Sequence, residues 1–163
     1  MNIAFLIIDV QKAFLGHLSE KQKYKDTMEY INETADLFRN AGKHVVIIRD
    51  IEDGDGEEFQ NVEELRVHEN DIEILKIYSN SFWKTELEET LKEKSIDFVV
   101  ISGNAAEYCV LATYNGAKER GFGAAMLQHG IFANHENGLI DIYNNRAMIS
   151  YEVISYLLKS NLI

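Results

Sequence analysis

Short apolar runs rich in β-branched residues, separated by stretches of helical spacing, constrain this chain more than any other feature. IAFLII (3–8) is apolar throughout, as expected of a strand covered on both faces. HVVIIR (44–49), IEILKI (72–77), DFVVIS (97–102) and GAAMLQH (123–129) read the same way, and AMIS (147–150) is a short sixth run. Tyr24, Met28, Ile31, Ala35 and Phe38 recur at steps of four and three, forming one stripe of a helix that Gly42 can end. Leu87 and Leu91 mark a helix over 85–94, and 107–120 reads as helical with Gly121 as its stop. Further helices are expected near 137–144 and over 152–159. This alternation predicts an α/β fold: three α/β/α layers around a mostly parallel, Rossmann-like six-stranded sheet, in a single domain over 1–163.

Charge and cysteine usage narrow the function classes. The net charge of −11 argues against nucleic acid or an anionic membrane surface as a partner, since both reward a basic face. Much of the excess lies in 50–73, including EDGDGEE, which reads as a solvated loop. MNIAFLIIDV lacks a basic leader and a small-residue cleavage site, so it is expected to be a strand and no signal peptide. No apolar run approaches the roughly 18 residues of a membrane span. A single cysteine allows no intrachain disulfide, which favours a cytoplasmic setting. Proline is absent, so a cis peptide here would be of the costly non-proline kind.

In an open parallel sheet, ligands bind beyond the carboxyl ends of the strands, where strand order reverses. Three chemically capable residues fall at such ends: Asp9 after the first run, Lys76 in the third, and Cys109 one loop beyond the fourth. A cysteine attacks as its thiolate, which a helix N-terminus and a nearby ammonium both favour. A carboxylate beside the thiol could take its proton and return it to a leaving amine. Bland alternatives stand beside each assignment. Cys109 could be a buried hydrophobe, Asp9 a cap and Lys76 a surface charge.

The strings FLIIDVQKAF, LKIYSNSFWKTELEETL and VVISGNAAEYCVLATYNGAKERGF resemble the isochorismatase-like cysteine hydrolases. These include nicotinamidases and N-carbamoylsarcosine amidases. The matched positions are Asp9, Val10 and Gln11; then Lys76, Phe82 and Thr85; then Gly103, Cys109, Val110, Thr113, Ala117 and Gly121. The resemblance implies an amidohydrolase that cleaves a small amide, carbamoyl or ureido compound. In it Asp9 would be the base and acid, Lys76 the support and Cys109 the covalent nucleophile. It further implies a cis peptide at Asn104–Ala105 and an oxyanion hole from the Ala105 and Cys109 N–H groups. A homo-oligomer, dimer or tetramer, is implied, and no cofactor is expected. Phe14, Tyr78, Phe82, Trp83, Asn104 and Tyr108 are candidates for the substrate pocket, although Phe82 also suits the core.

Two departures qualify the resemblance. Nicotinamidases carry an Asp-x-His pair and further histidines for a metal after the second strand. Here Asp50 is followed by Glu52, and His68 is the first histidine after this point in the chain, so no metal site is expected. Asn104, Ala106 and Glu107 stand where the family commonly has an aliphatic residue, Thr and Asp. Two other classes remain open: a catalytically silent member that binds a metabolite or serves in an assembly, and a Cys–His hydrolase using His129 or His135.

Overall fold

The computed structural model describes residues 1–135 and 137–160. Among these residues the strands are β1 (Ile3–Ile8), β2 (His44–Asp50), β3 (Ile72–Lys76), β4 (Phe98–Gly103), β5 (Gly123–Ile131) and β6 (Met148–Ile149). The helices are α1 (Lys12–Leu15), α2 (Gln22–Asn40), α3 (Leu87–Glu93), α4 (Cys109–Glu119), α5 (Gly138–Asn145) and α6 (Tyr151–Lys159). The sheet order is β3-β2-β1-β4-β5-β6, and every strand pair is parallel. Sheet, layers and parallel sense match the sequence expectation. The short α1 was not expected. None of the described helices is long and apolar enough to cross a membrane.

Two-faced burial follows from alternation within each apolar run. Ala4, Leu6 and Ile8 face one core, with Leu87, Leu91, Val110, Tyr114 and Ala117 from α3 and α4. Ile3, Phe5 and Ile7 face the other, with the α2 stripe and with Ile154 and Leu158 of α6. Each fully buried side chain of this size contributes about 1.5–3 kcal/mol relative to exposure. The sheet is therefore held from both sides, and its carboxyl edge becomes a rigid platform.

Chain order reverses between β1 and β4, which pair in register from Ile3 with Phe98 to Ile8 with Gly103. The close approach there requires glycine: Gly103 has φ +107, and a Cβ on it would lie 2.0 Å from the Ile8 carbonyl oxygen. Asn104 N–H then donates to the same carbonyl at 2.8 Å. The two strand ends that carry Asp9 and the turn before Cys109 are thus locked side by side.

The acidic stretch after β2 is mostly exposed, as its composition suggests, but it is anchored at a few points. Val62 and Leu65 are buried, and Gln11 pairs with Asn61 in an antiparallel bridge. Asp55 and Glu73 bind Arg49 at 2.6 and 2.8 Å, and Glu57 pairs with Lys12. Two apolar anchors and a set of basic partners draw this loop back across the carboxyl edge of the sheet.

Candidate active site

Asp9 follows the last residue of β1 with φ 51, a left-handed geometry uncommon for a residue with a Cβ. Its N–H donates to the Ile48 carbonyl of β2 at 2.9 Å, which turns the side chain across the sheet edge. Lys76 ends β3, two strands away. Its Nζ lies 2.9 Å from Asp9 Oδ2, 2.6 Å from Asp50 Oδ2 and 3.5 Å from Cys109 Sγ. Asp9, Lys76 and Cys109, three sequence candidates from distant parts of the chain, therefore meet at one point.

Burial sets the electrostatics. Asp9 and Lys76 are each only 2% exposed, and Cys109 is half-buried. Loss of water pushes Asp9 up to about 6, against the pull of the Lys76 ammonium. Burial works against the Lys76 charge too, but Asp9, Cys109 and Asp50 outweigh it and hold its pKa above the usual lysine value. Burial, reinforced by the Asp9 charge, pushes the Cys109 thiol up to about 12, and Lys76 offsets only part of this. The expectation of a thiolate favoured by a helix start is corrected here. Cys109 does open α4, but low dielectric and the adjacent carboxylate dominate, so the resting sulfur carries its proton.

The turn before Cys109 is tightly tied. The Asn104–Ala105 peptide bond is cis. Ala106 N–H donates to the Phe132 carbonyl at 2.8 Å, and Phe132 N–H donates to Gly103 at 2.9 Å. The Ala105 carbonyl accepts from Tyr108 and Val110 at 3.0 and 3.2 Å. Among the described residues, the Ala105 and Cys109 N–H groups donate to no backbone acceptor outside regular structure. Glu107 accepts from the Asn134 and His135 N–H groups at 3.1 and 2.7 Å and so fixes the loop after β5.

The six pocket candidates separate. Phe14 and Asn104 line a cavity of about 520 Å³ together with His17, Lys21, Phe132 and Asn134. Phe82 lies in the core. It is 3% exposed, its ring lies 5.7 Å from Phe122, and a side chain with no polar handle gains most by joining this core. Trp83 is 53% exposed, and Tyr78 sits beneath the Lys84 ammonium; neither lines this cavity. Tyr108 is exposed and meets His135, its OH 3.3 Å from Nε2.

Sequence reasoning gave no role to Gln11 or Asp50. Gln11 is fully buried; its Nε2 donates to the Asp50 and Phe59 carbonyls, and its Oε1 accepts from Asp50 N–H. Asp50 in turn holds Lys76. The signals available were the place of Gln11 in the Asp9-Val10-Gln11 block and that of Asp50 at the end of the second apolar run. Thr85 and Thr113 prove to be pins: Thr113 Oγ1 accepts from Ser81 N–H at 3.0 Å, and Thr85 donates to the Ser81 carbonyl at 2.5 Å.

A nicotinamidase-type metal does not fit these residues. Asp50 Oδ2 is taken by Lys76, and its Oδ1 accepts from Glu52 N–H at 2.9 Å. His68 lies beside His44, at the opposite end of the sheet. Carboxylate oxygens of Asp9 and Asp50 and Cys109 Sγ do lie within 4.8 Å of one another, but the Lys76 ammonium sits among them. His129 packs against Tyr30 and Tyr143, and His135 meets Tyr108. Among the described residues neither imidazole is hydrogen-bonded to Cys109.

A family model described as the isochorismatase domain matches residues 3–139. The uncharacterized isochorismatase family protein YrdC of Bacillus subtilis (strain 168) is 29% identical over 153 residues, 90% of this chain and 82% of that protein. A cysteine hydrolase from Pseudomonas syringae pv. phaseolicola 1448A has a similar fold, with TM-score 0.83 and 18% identity over 98% of this chain and 93% of that one. N-carbamoylsarcosine amidase from Thermoplasma acidophilum superposes with TM-score 0.79 at 20% identity, over 89% of this chain and 92% of that one. At such identities the structural likeness speaks to fold, while the family model spans most of the sequence. The chain belongs to the isochorismatase family.

Proposed function

We propose that this protein is a cysteine hydrolase that cleaves the C–N bond of a small amide, carbamoyl or ureido compound. The carrying observation is the convergence of Asp9, Lys76 and Cys109 around one ammonium nitrogen at the sheet's switch point. The amidase and hydrolase names among its structural neighbours agree with that chemistry.

The charges suggest a sequence of steps. As Cys109 Sγ attacks the substrate carbonyl carbon, its proton passes to the Asp9 carboxylate, so a free thiolate need not accumulate. Negative charge moves onto the carbonyl oxygen, which in this reading the Ala105 and Cys109 N–H groups receive. The C–N bond then breaks, and Asp9 returns the proton to the departing nitrogen. Water attacks the thioester carbon, Asp9 takes one of its protons, the C–S bond breaks and the sulfur regains a proton from Asp9. Lys76 remains charged throughout and steadies both anionic partners.

Cys109→Ala should abolish turnover of any amide or ureide that the wild type hydrolyses. Intact-mass measurement during turnover should show an acyl or carbamoyl adduct on the wild type alone. Undiminished hydrolysis by Cys109→Ala would refute the proposal. An adduct-free protein with saturable binding and no turnover would instead favour a silent, metabolite-binding member of the family.

A further inference from the structure

In a chain of net charge −11, one cavity gathers basic side chains. It measures about 430 Å³ and opens at the amino end of the sheet, where β2 and β3 begin, opposite Asp9, Lys76 and Cys109. Lys43 and His44 reach it from the entry to β2, His68 from the loop before β3, and Lys94 from the end of α3. Its walls hold one carboxylate, Asp71, and that group is engaged. Asp71 Oδ1 and Oδ2 accept from Arg39 at 3.0 and 2.7 Å, and Oδ2 also accepts from the His68 N–H at 2.8 Å. Arg39 is occupied in turn by Asp36 and the Arg66 carbonyl.

The remaining basic groups have no acid to answer them. Lys43 and Lys94 are half-buried, and neither forms an ion pair among the described residues. Lys43 Nζ meets only the neutral Asn2 Oδ1, at 3.5 Å. Burial first, and then the Lys94 and Lys43 charges, pushes the His44 imidazole below its ordinary value, so the like charges are close enough to be felt. Helix ends explain the lysines one at a time. Lys94 caps α3 and Lys43 lies just beyond α2, and the negative end of a helix favours a nearby cation. That does not explain why two imidazoles face the same cavity, where protonation of either would add to the repulsion.

We infer that this cavity is a binding site for a phosphate group, carried by a small phosphomonoester or free in solution. Basic groups approaching from three elements suit a tetrahedral dianion, each of whose oxygens can take its own donor. A carboxylate is planar and is best held by a guanidinium fork, and Arg39, the guanidinium in these walls, is already closed around Asp71. Val45 and Ile72 add apolar wall, and the volume leaves room for a short organic group beside the phosphate. The ligand is separate from the substrate, because the length of β2 and β3 lies between this cavity and Asp50 and Lys76. The inference therefore stands independently of the hydrolase reading.

The test is calorimetric titration of the whole protein with inorganic phosphate and with propyl phosphate, at about neutral pH and low ionic strength. Saturable binding is expected for at least one of them, with Kd about 1 mM or tighter. Acetate and succinate should not saturate the site at the same concentrations. Lys43→Met and Lys94→Met should each weaken binding by about fivefold or more, and the double variant should abolish it. Lys159→Met, at the end of α6, should bind as wild type does. Tighter binding of propyl phosphate would assign the cavity to a phosphomonoester, and tighter or equal binding of inorganic phosphate to the free ion. Phosphate should also raise the thermal midpoint of wild type and leave that of the double variant unchanged. In phosphate-free buffer both single variants should unfold at or above the wild-type temperature, since a like-charge contact is relieved. Lower temperatures would assign the lysines to the helix ends and overturn the inference. No saturation by either phosphate, succinate bound as tightly as phosphate, or unaltered binding in the double variant would overturn it too, and each would leave the hydrolase reading intact.

Discussion

Gln11 grips Asp50 from both sides: its Oε1 accepts from Asp50 N–H and its Nε2 donates to the Asp50 carbonyl, each at 2.8 Å. A side chain here does what a neighbouring strand would do, pairing with the last residue of β2 beyond the end of β1. The bound Asp50 then presents its carboxylate to Lys76, so a residue outside the reacting trio sets the position of the ammonium within it.

Removing that grip should be costly. Gln11→Leu keeps the approximate volume but removes the side-chain partner of the Asp50 N–H and carbonyl and leaves the Phe59 carbonyl to Arg49 alone. A loss of about 2–4 kcal/mol is expected, read as a lower urea midpoint at unchanged slope. Turnover should fall as well, since Lys76 loses its fixed partner. A variant as stable as wild type would mean that water replaces the carboxamide without penalty.

The acid limb of the activity profile should report Asp9. With its carboxyl pushed up to about 6, kcat/KM should climb with pH through about 6 and then level. Asp9→Asn should lower turnover by about 10²–10⁴-fold. Stability carries the same signature. The native carboxyl holds its proton more firmly than the unfolded one, so its contribution is complete below about 3.8 and is lost as pH rises through about 6. The stability of wild type minus that of Asp9→Asn should therefore decline from pH 4 to 7, measured by urea unfolding. A difference that grows over this range would contradict the assignment.

Alkylation should separate a resting thiol from a preformed thiolate. Burial and the Asp9 charge push Cys109 up to about 12, so iodoacetamide at pH 7.5 should react about 100-fold or more slowly than with a free thiol. Asp9→Asn removes the negative neighbour and should be alkylated faster than wild type, although it turns over substrate poorly. Slower alkylation of the variant would show that Asp9 acts on the sulfur mainly by removing its proton.

Gly103→Ala tests the junction of β1 and β4. A methyl group would collide with the Ile8 carbonyl, and alanine at φ +107 is itself disfavoured. A loss of about 3 kcal/mol or more is expected, with poor soluble yield. Thermal unfolding close to that of wild type would show that the two strand ends can part.

Much of this molecule is legible along the chain. IAFLII is apolar throughout, and HVVIIR and DFVVIS are apolar in their interiors, because strands covered on both faces have no polar side to show; such runs announce a parallel sheet by themselves. Asp9, Lys76 and Cys109 stand at strand ends or one loop beyond, which is where an open sheet gathers its reactive groups. Phe82 shows the limit of such patterns. Its distance in sequence from Lys76 suggested a pocket, but its placement under α4 depends on how the following loop turns, and Ser81 and Thr113 decide that across 32 residues.

What the sequence determined by itself was the layered fold and the identity of the three convergent residues, because hydrophobic period and strand-end position are local properties. Tertiary structure alone decided the protonation balance and the Gln11–Asp50–Lys76 support. Burial and Coulomb interactions depend on distances between residues far apart in the chain. The fold set those distances, and with them reversed the expected state of Cys109 from a helix-stabilised anion to a buried thiol.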